Sequence, residues 1–166
     1  MERLLDQFLG VLEGEAALYG SLLLILQREK EAVIGSALKD LNEISKEKEN
    51  ILLKIRILEE QRLRILQRLA DALGYSSQGL TLTKLSQLVN EPYSNRLRAC
   101  HSNFLALIQS IREINHSNRA LLTHSLELVR GSLSLMDTLM ASNPVYYRTG
   151  MVQSAARSGR VLSGKV

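Results

Sequence analysis

Tryptophan is absent from the sequence, proline occurs twice, and the aromatic side chains are five tyrosines and two phenylalanines in 166 residues. With so few rings and helix breakers, packing falls to leucine, isoleucine and long charged side chains, the composition of helical bundles. The single cysteine, Cys100, excludes an intrachain disulfide and sets the expectation of a reducing compartment. Long apolar runs are lacking as well. The longest strongly apolar stretch, "SLLLIL" at 21–26, falls far short of the ~20 residues of a spanning helix. The opening "MERLLDQ" has no basic region followed by an apolar stretch and a cleavage site, so no signal peptide is expected. These absences predict a cytoplasmic protein without membrane insertion.

The formal net charge is +4, but it is unevenly placed. Residues 143–166 hold Arg148, Arg157, Arg160 and Lys165 and no acid, so the other 17 basic residues balance the 17 acidic ones over 1–142. A neutral body argues against a nucleic-acid partner.

Three apolar ladders of period seven run through that body. The first is Leu4, Val11, Leu18, Ile25, Ala32; the second is Ala37, Ile44, Ile51, Leu58, Ile65, Ala72. The third runs Tyr93, Cys100, Leu107, Ile114, Leu121, Leu128, Leu135, flanked by Ile108, Leu122, Val129 and Met136. A sevenfold repeat with apolar neighbours three or four places away is a buried stripe on an α-helix, and over five or more heptads it implies left-handed coiled-coil packing. Boundaries follow from local chemistry. In "IGSALKD" (34–40), Gly35 ends one helix and Ser36 caps the next; "LGYSSQG" (73–79) breaks the second. "TLTKLSQLV" (81–89) reads as a short helix capped by Thr81 or Thr83, and Pro92 suits the first turn of the last helix. The predicted fold is all-α: an elongated antiparallel three-helix bundle over 1–142, with helices at about 2–34, 36–73 and 92–142 and a short extra helix at 82–89. A basic, partly apolar tail follows over 143–166. Along the first helix, Gly10, Gly14, Ala17 and Ser21 form a row of small residues. They would admit another helix closely, or simply weaken this one by about 1 kcal/mol per glycine.

"INHSNRALLTHSLELV" (114–129) sets two asparagines, two histidines and two serines into the last helix. Asn115 and Asn118 border the expected stripe beside Ile114 and Leu121, with Ser125 and Ser132 continuing the row. Amides at a bundle seam fix register and partner choice. A catalytic reading fails for want of a nucleophile and base within reach. His116 lies about 200° from Ile114, and His124 and His101 occupy other faces and turns, so no zinc-ligand spacing emerges. Cys100 lies on the ladder and is expected to behave as a small buried hydrophobe. With no phosphate loop, no GxSxG and no paired carboxylates, no catalytic residue, metal site or cofactor is expected.

The tail is richer in apolar side chains than a disordered terminus. Met151, Val152, Ala155, Ala156 and Leu162 fit one face of a short amphipathic helix, with Val161 beside them and Tyr146 and Tyr147 as anchors. It is expected to fold onto a partner.

Three stretches together resemble the FlgN-type flagellar export chaperones: "EKENILLKIRILEEQRLRILQRLADALG" (47–74), "INHSNRALLTHSLELV" (114–129) and "VYYRTGMV" (145–152). Asn115, Asn118 and Leu121 match the Asn-x-x-Asn-x-x-Leu pattern of that family's last helix. Tyr147 (or Tyr146) and Gly150 match the tyrosine and glycine that follow it. The resemblance implies a cytoplasmic, cofactor-free protein that binds hook-associated proteins through its C-terminal region. It would prevent their premature assembly and deliver them to the flagellar type III export apparatus. The alternative that the residues leave open is a homo-oligomeric structural coiled coil without a cargo.

Overall fold

A computed structural model describes residues 1–141. They form α1 (Glu2–Ile34), α2 (Leu38–Leu73), a single 3-10 turn (Ser77–Gly79), α3 (Leu82–Leu88) and α4 (Tyr93–Ala141). The all-α class expected from the ladders is the one observed. The chain divides into two compact units, Met1–Thr123 and a second beginning at His124.

In the first unit, side-chain pairs fix the topology. Arg28 meets Glu47 at 2.5 Å and Arg62 meets Glu15 at 3.0 Å, so α1 and α2 are antiparallel. Along α1 and α4 the pairs rise together: Glu13 with Arg96 at 2.8 Å, Tyr19 edge-on to Phe104 with centroids 5.9 Å apart, and the Leu26 carbonyl with Asn118 at 2.8 Å. Helix α4 therefore runs parallel to α1 and antiparallel to α2.

Apolar and polar layers alternate along this unit. One apolar layer gathers Phe8, Leu9 and Leu12 of α1, Leu69 and Ala70 of α2, Leu80, Leu85 of α3 and Leu97 of α4. A polar layer follows, in which Glu15 pairs with Arg62 and the Tyr19 hydroxyl donates to Glu59 at 3.1 Å. Leu22, Leu26 and Ile55 form the next apolar layer with Ile111 and Ile114 against it. Glu29, Lys48 and Asn118 form the next polar one.

The boundaries agree with expectation to within two residues, but one capping mechanism differs. Ser36 does not cap α2: it takes φ +54°, and the N-cap is Ala37 without a side-chain hydrogen bond. The turn after Gly35 is tight enough that a left-handed residue is needed, and Ser36 supplies it at the cost of its capping geometry. Gly74 ends α2 at φ +72°, with the Tyr75 N–H bonded back to the Ala70 carbonyl at 2.9 Å. The Thr81 hydroxyl accepts from the Lys84 N–H at 3.2 Å and starts α3. Pro92 lies just before α4, where its carbonyl accepts from the Arg96 N–H at 3.3 Å. The row of small residues is partly spoken for within the chain. A Cβ on Gly14 would sit 3.3 Å from Leu58 Cδ1 of α2, whereas Gly10 faces open space.

Helix α1 is more apolar than its longest uninterrupted run indicates. One 18-residue window reaches a mean hydropathy of 1.6, enough by length and composition to cross a membrane, with 33% of that window buried. Leucine, isoleucine, valine and alanine spread along the helix raise the average without forming a continuous run. The helix's buried residues include Leu22, Ile25 and Leu26, as well as Glu15 and Glu29, whose carboxylates pair with cations of α2.

Candidate partner-binding surface on the last helix

In α4 the positions 97, 100, 104, 107, 111, 114, 118 and 121 keep the alternating three- and four-residue spacing of a coiled-coil seam. All of them are buried or half-buried. Asn118 occupies one of these positions and is 2% exposed. Its Nδ2 donates to the Leu26 carbonyl at 2.8 Å and to Glu29 Oε2 at 3.0 Å, and Lys48 pairs with the other Glu29 oxygen. The amide thus joins α4 to α1 and, through a carboxylate, to α2. Asn118 Oδ1 is buried and accepts no hydrogen bond among the described residues. Asn115, expected to border the same stripe, is exposed. It follows Ile114 by one residue, and that 100° rotation carries it off the seam. Leu121 is half-buried on the seam.

The seam was expected to bury the whole third ladder; burial instead stops near Leu121. Leu128 and Leu135 are 60% and 61% exposed. The second unit also displays a row at 126, 129, 133, 136 and 140: Leu126, Val129, Leu133, Met136 and Met140, between 52% and 73% exposed. Its spacing alternates three and four, so one apolar stripe runs unburied along this length of helix. Glu127 lies on the opposite side, and Arg130 and Asp137 flank the stripe along one edge. The sequence held a signal for this in length alone: α4 has 49 residues and α1 has 33. Of this row, Val129 and Met136 were expected as flanks of a buried ladder.

Tyr146, Tyr147, Gly150, Met151, Val152, Ala155, Ala156, Val161 and Leu162 lie outside the described residues. Among the described residues, no three His, Cys, Asp or Glu side chains gather where a metal ion could bind. The cleft bounded by Phe8, Leu12, Tyr19, Leu66, Phe104 and Ile108 encloses about 400 Å³ and holds the Glu15–Arg62 pair. Burial pushes the Glu15 carboxyl above its usual value, against the opposing pull of Arg62. Cys100 is half-buried, and burial likewise raises its thiol pKa, which disfavours the reactive thiolate.

The last helix thus carries an apolar seam interrupted by the buried amide of Asn118 and, beyond it, an exposed apolar stripe. The FlgN protein family model matches residues 1–154. The chain belongs to the FlgN family. It is accordingly a flagellar export chaperone, of a family that is non-enzymatic. No curated protein and no solved structure matches the chain. The family match covers the Asn118 seam, the bare stripe and the start of the tail through Tyr146, Tyr147, Gly150, Met151 and Val152.

Proposed function

We propose that this FlgN-family protein binds the C-terminal helical segments of hook-associated proteins along α4 and the tail that follows. In doing so it keeps them from assembling early and delivers them to the flagellar type III export apparatus in the cytoplasm. The observation that carries this reading is the stripe of Leu126, Val129, Leu133, Met136 and Met140, each at least 52% exposed. Exposed apolar surface of that extent marks an interaction site in a soluble protein. The three–four spacing matches a helical cargo segment, whose own apolar face would pack into it knobs into holes. Cargo helices that belong inside an assembled filament are apolar by design and self-associate when uncovered. Covering them needs only reversible burial, with no covalent change, no cofactor and no metal. We read the apolar helix α1 as a core helix rather than a membrane anchor. Its buried leucines and its ion-paired Glu15 and Glu29 support that reading. In this proposal the tail residues from Tyr146 to Leu162 also take part in binding the cargo.

The test is calorimetric titration against the C-terminal segment of a hook-associated protein, using the full chain, L133D/M136D and a 1–141 truncation. Binding by the full chain that is lost in L133D/M136D supports the reading. Unchanged binding by that variant together with loss in the truncation moves the site to the tail. Absence of binding by any form, with self-association in sedimentation, favours the homo-oligomeric coiled coil that the same stripe would serve.

A further inference from the structure

On the side of α2 turned away from the core, Leu53, Lys54, Ile57, Arg64 and Arg68 fall within an arc of about 100°. All five are exposed, Leu53 and Ile57 by 61% and 54%. Toward its C-terminal end this face opens into a groove of about 540 Å³ between α1 and α2. Gly10, Val11, Leu58 and Ile65 line the groove's apolar part, Arg64 and Arg68 its charged part, and no aspartate or glutamate lines it. A Cβ placed on Gly10 meets nothing within 4 Å, so the groove is open at that point. Lys54, Arg64 and Arg68 make no ion pair among the described residues.

We infer that this groove and the face beside it are a second docking surface, which receives an acidic amphipathic helix of another protein. Charge complementarity selects the occupant. Arg64 and Arg68 line the groove with no acid among its walls; the nearby acids of the same face are engaged elsewhere, Glu60 with Arg56 and Asp71 with Gln67, so a partner bearing carboxylates supplies the ion pairs these arginines lack. Geometry selects a helix. Arg64 and Arg68 are one turn apart, and Lys54 lies ten residues earlier, roughly 15 Å along the axis. Leucine and isoleucine stand between the cations, so the partner presents apolar side chains between acids spaced four and ten residues apart. A nucleic acid or lipid headgroup would satisfy the cations and leave Leu53, Ile57 and Val11 bare. The balanced charge of residues 1–142, these three cations included, offers no wider polyanion track. The surface belongs to α1 and α2 and shares no residue with the α4 stripe, so it stands whatever α4 binds.

Two labelled synthetic helices of about 18 residues test this, identical in their leucines, one with glutamates and one with lysines at the matching spacing. Fluorescence anisotropy would follow each against the full-length chain, R64E/R68E and L133D/M136D. The glutamate helix is expected to bind the natural chain and L133D/M136D alike, at least tenfold more weakly to R64E/R68E, and more weakly with added salt. The lysine helix is expected to bind only R64E/R68E, a charge-swap rescue that general unfolding could not produce. Equal binding of both helices to the natural chain, or glutamate-helix binding untouched by R64E/R68E, overturns the inference. So does binding of phosphatidylglycerol vesicles or duplex DNA in place of the glutamate helix.

Discussion

The side-chain amide of Asn118 on α4 lies 3.0 Å from the carboxylate of Glu29 on α1, and both residues are buried. A hydrogen bond to a buried charge is worth more than one between neutral groups, about 1.5–3 kcal/mol. Asn118→Ala should therefore lower unfolding stability by about 2 kcal/mol. Asn118→Leu should stay within about 1 kcal/mol of the natural protein, because a buried leucine side chain recovers a similar amount. Its cost should appear as altered register or oligomeric state, since the only polar position of α4 specific to Glu29 is gone. Urea melts and sedimentation of the two variants check this. A leucine variant that stays as uniquely monomeric or dimeric as its parent would remove the register role.

The Glu15–Arg62 pair should respond as a unit. Arg62→Met leaves a 2%-exposed glutamate without its cation and should cost about 3 kcal/mol, most of it recovered when Glu15→Met is added. The pair also carries a pH signature. Because burial raises the Glu15 pKa above 4.5 in the folded state, the folded chain holds this proton more tightly than the unfolded one. Its contribution to stability is therefore full below pH about 4.5 and declines as pH rises through the folded value. Glu15→Gln mimics the protonated form, so its stability relative to the natural protein should grow with pH across that window. Thermal melts between pH 4 and 7 measure the difference.

Tyr19 should ionise late. Burial, and next the charge of Glu59 that its hydroxyl bonds, push its pKa up to about 12 from the usual 10.0 of tyrosine. Absorbance titration at the phenolate band should show one tyrosine lagging the rest, and Tyr19→Phe should delete that late step. The folded state keeps this proton where the unfolded state loses it. Tyr19 thus favours folding below pH 10 and gives that contribution up as pH climbs toward 12.

Two leucines of α4 should differ sharply. Leu97 is fully buried and Leu128 is 60% exposed. Leu97→Ala should cost about 3 kcal/mol and Leu128→Ala no more than about 0.5 kcal/mol, both read from urea denaturation. Equal losses would mean that the distal part of α4 is buried in solution.

The helices and their ends were legible because heptad spacing, Gly74, Thr81 and Pro92 are local signals. What the sequence hid was depth. Asn115 and Asn118 look alike as a pair, yet one rotation of 100° sends the first to solvent and the second to Glu29. Leu121 and Leu128 are consecutive rungs of one ladder, and a ladder records which way a residue points but not whether a neighbouring helix is there to meet it. Helix length carried that information: 33 residues in α1 against 49 in α4. Glu15, hidden inside α1 between apolar turns, gave no local sign that Arg62 would reach it from 47 positions away.

The alternation of layers has one further consequence. Glu15 and Glu29 are fourteen residues apart, as are their partners Lys48 and Arg62. Were the α1–α2 hairpin to slip by one heptad in one direction, Glu15 would face Ile55 and Glu29 would face Leu41; in the other, they would face Leu69 and Ile55. Each misalignment strands two carboxylates against hydrocarbon, at several kcal/mol apiece. Leucine heptads by themselves tolerate sliding, and it is these two misfits, waiting on either side of the native alignment, that leave the hairpin a single way to close.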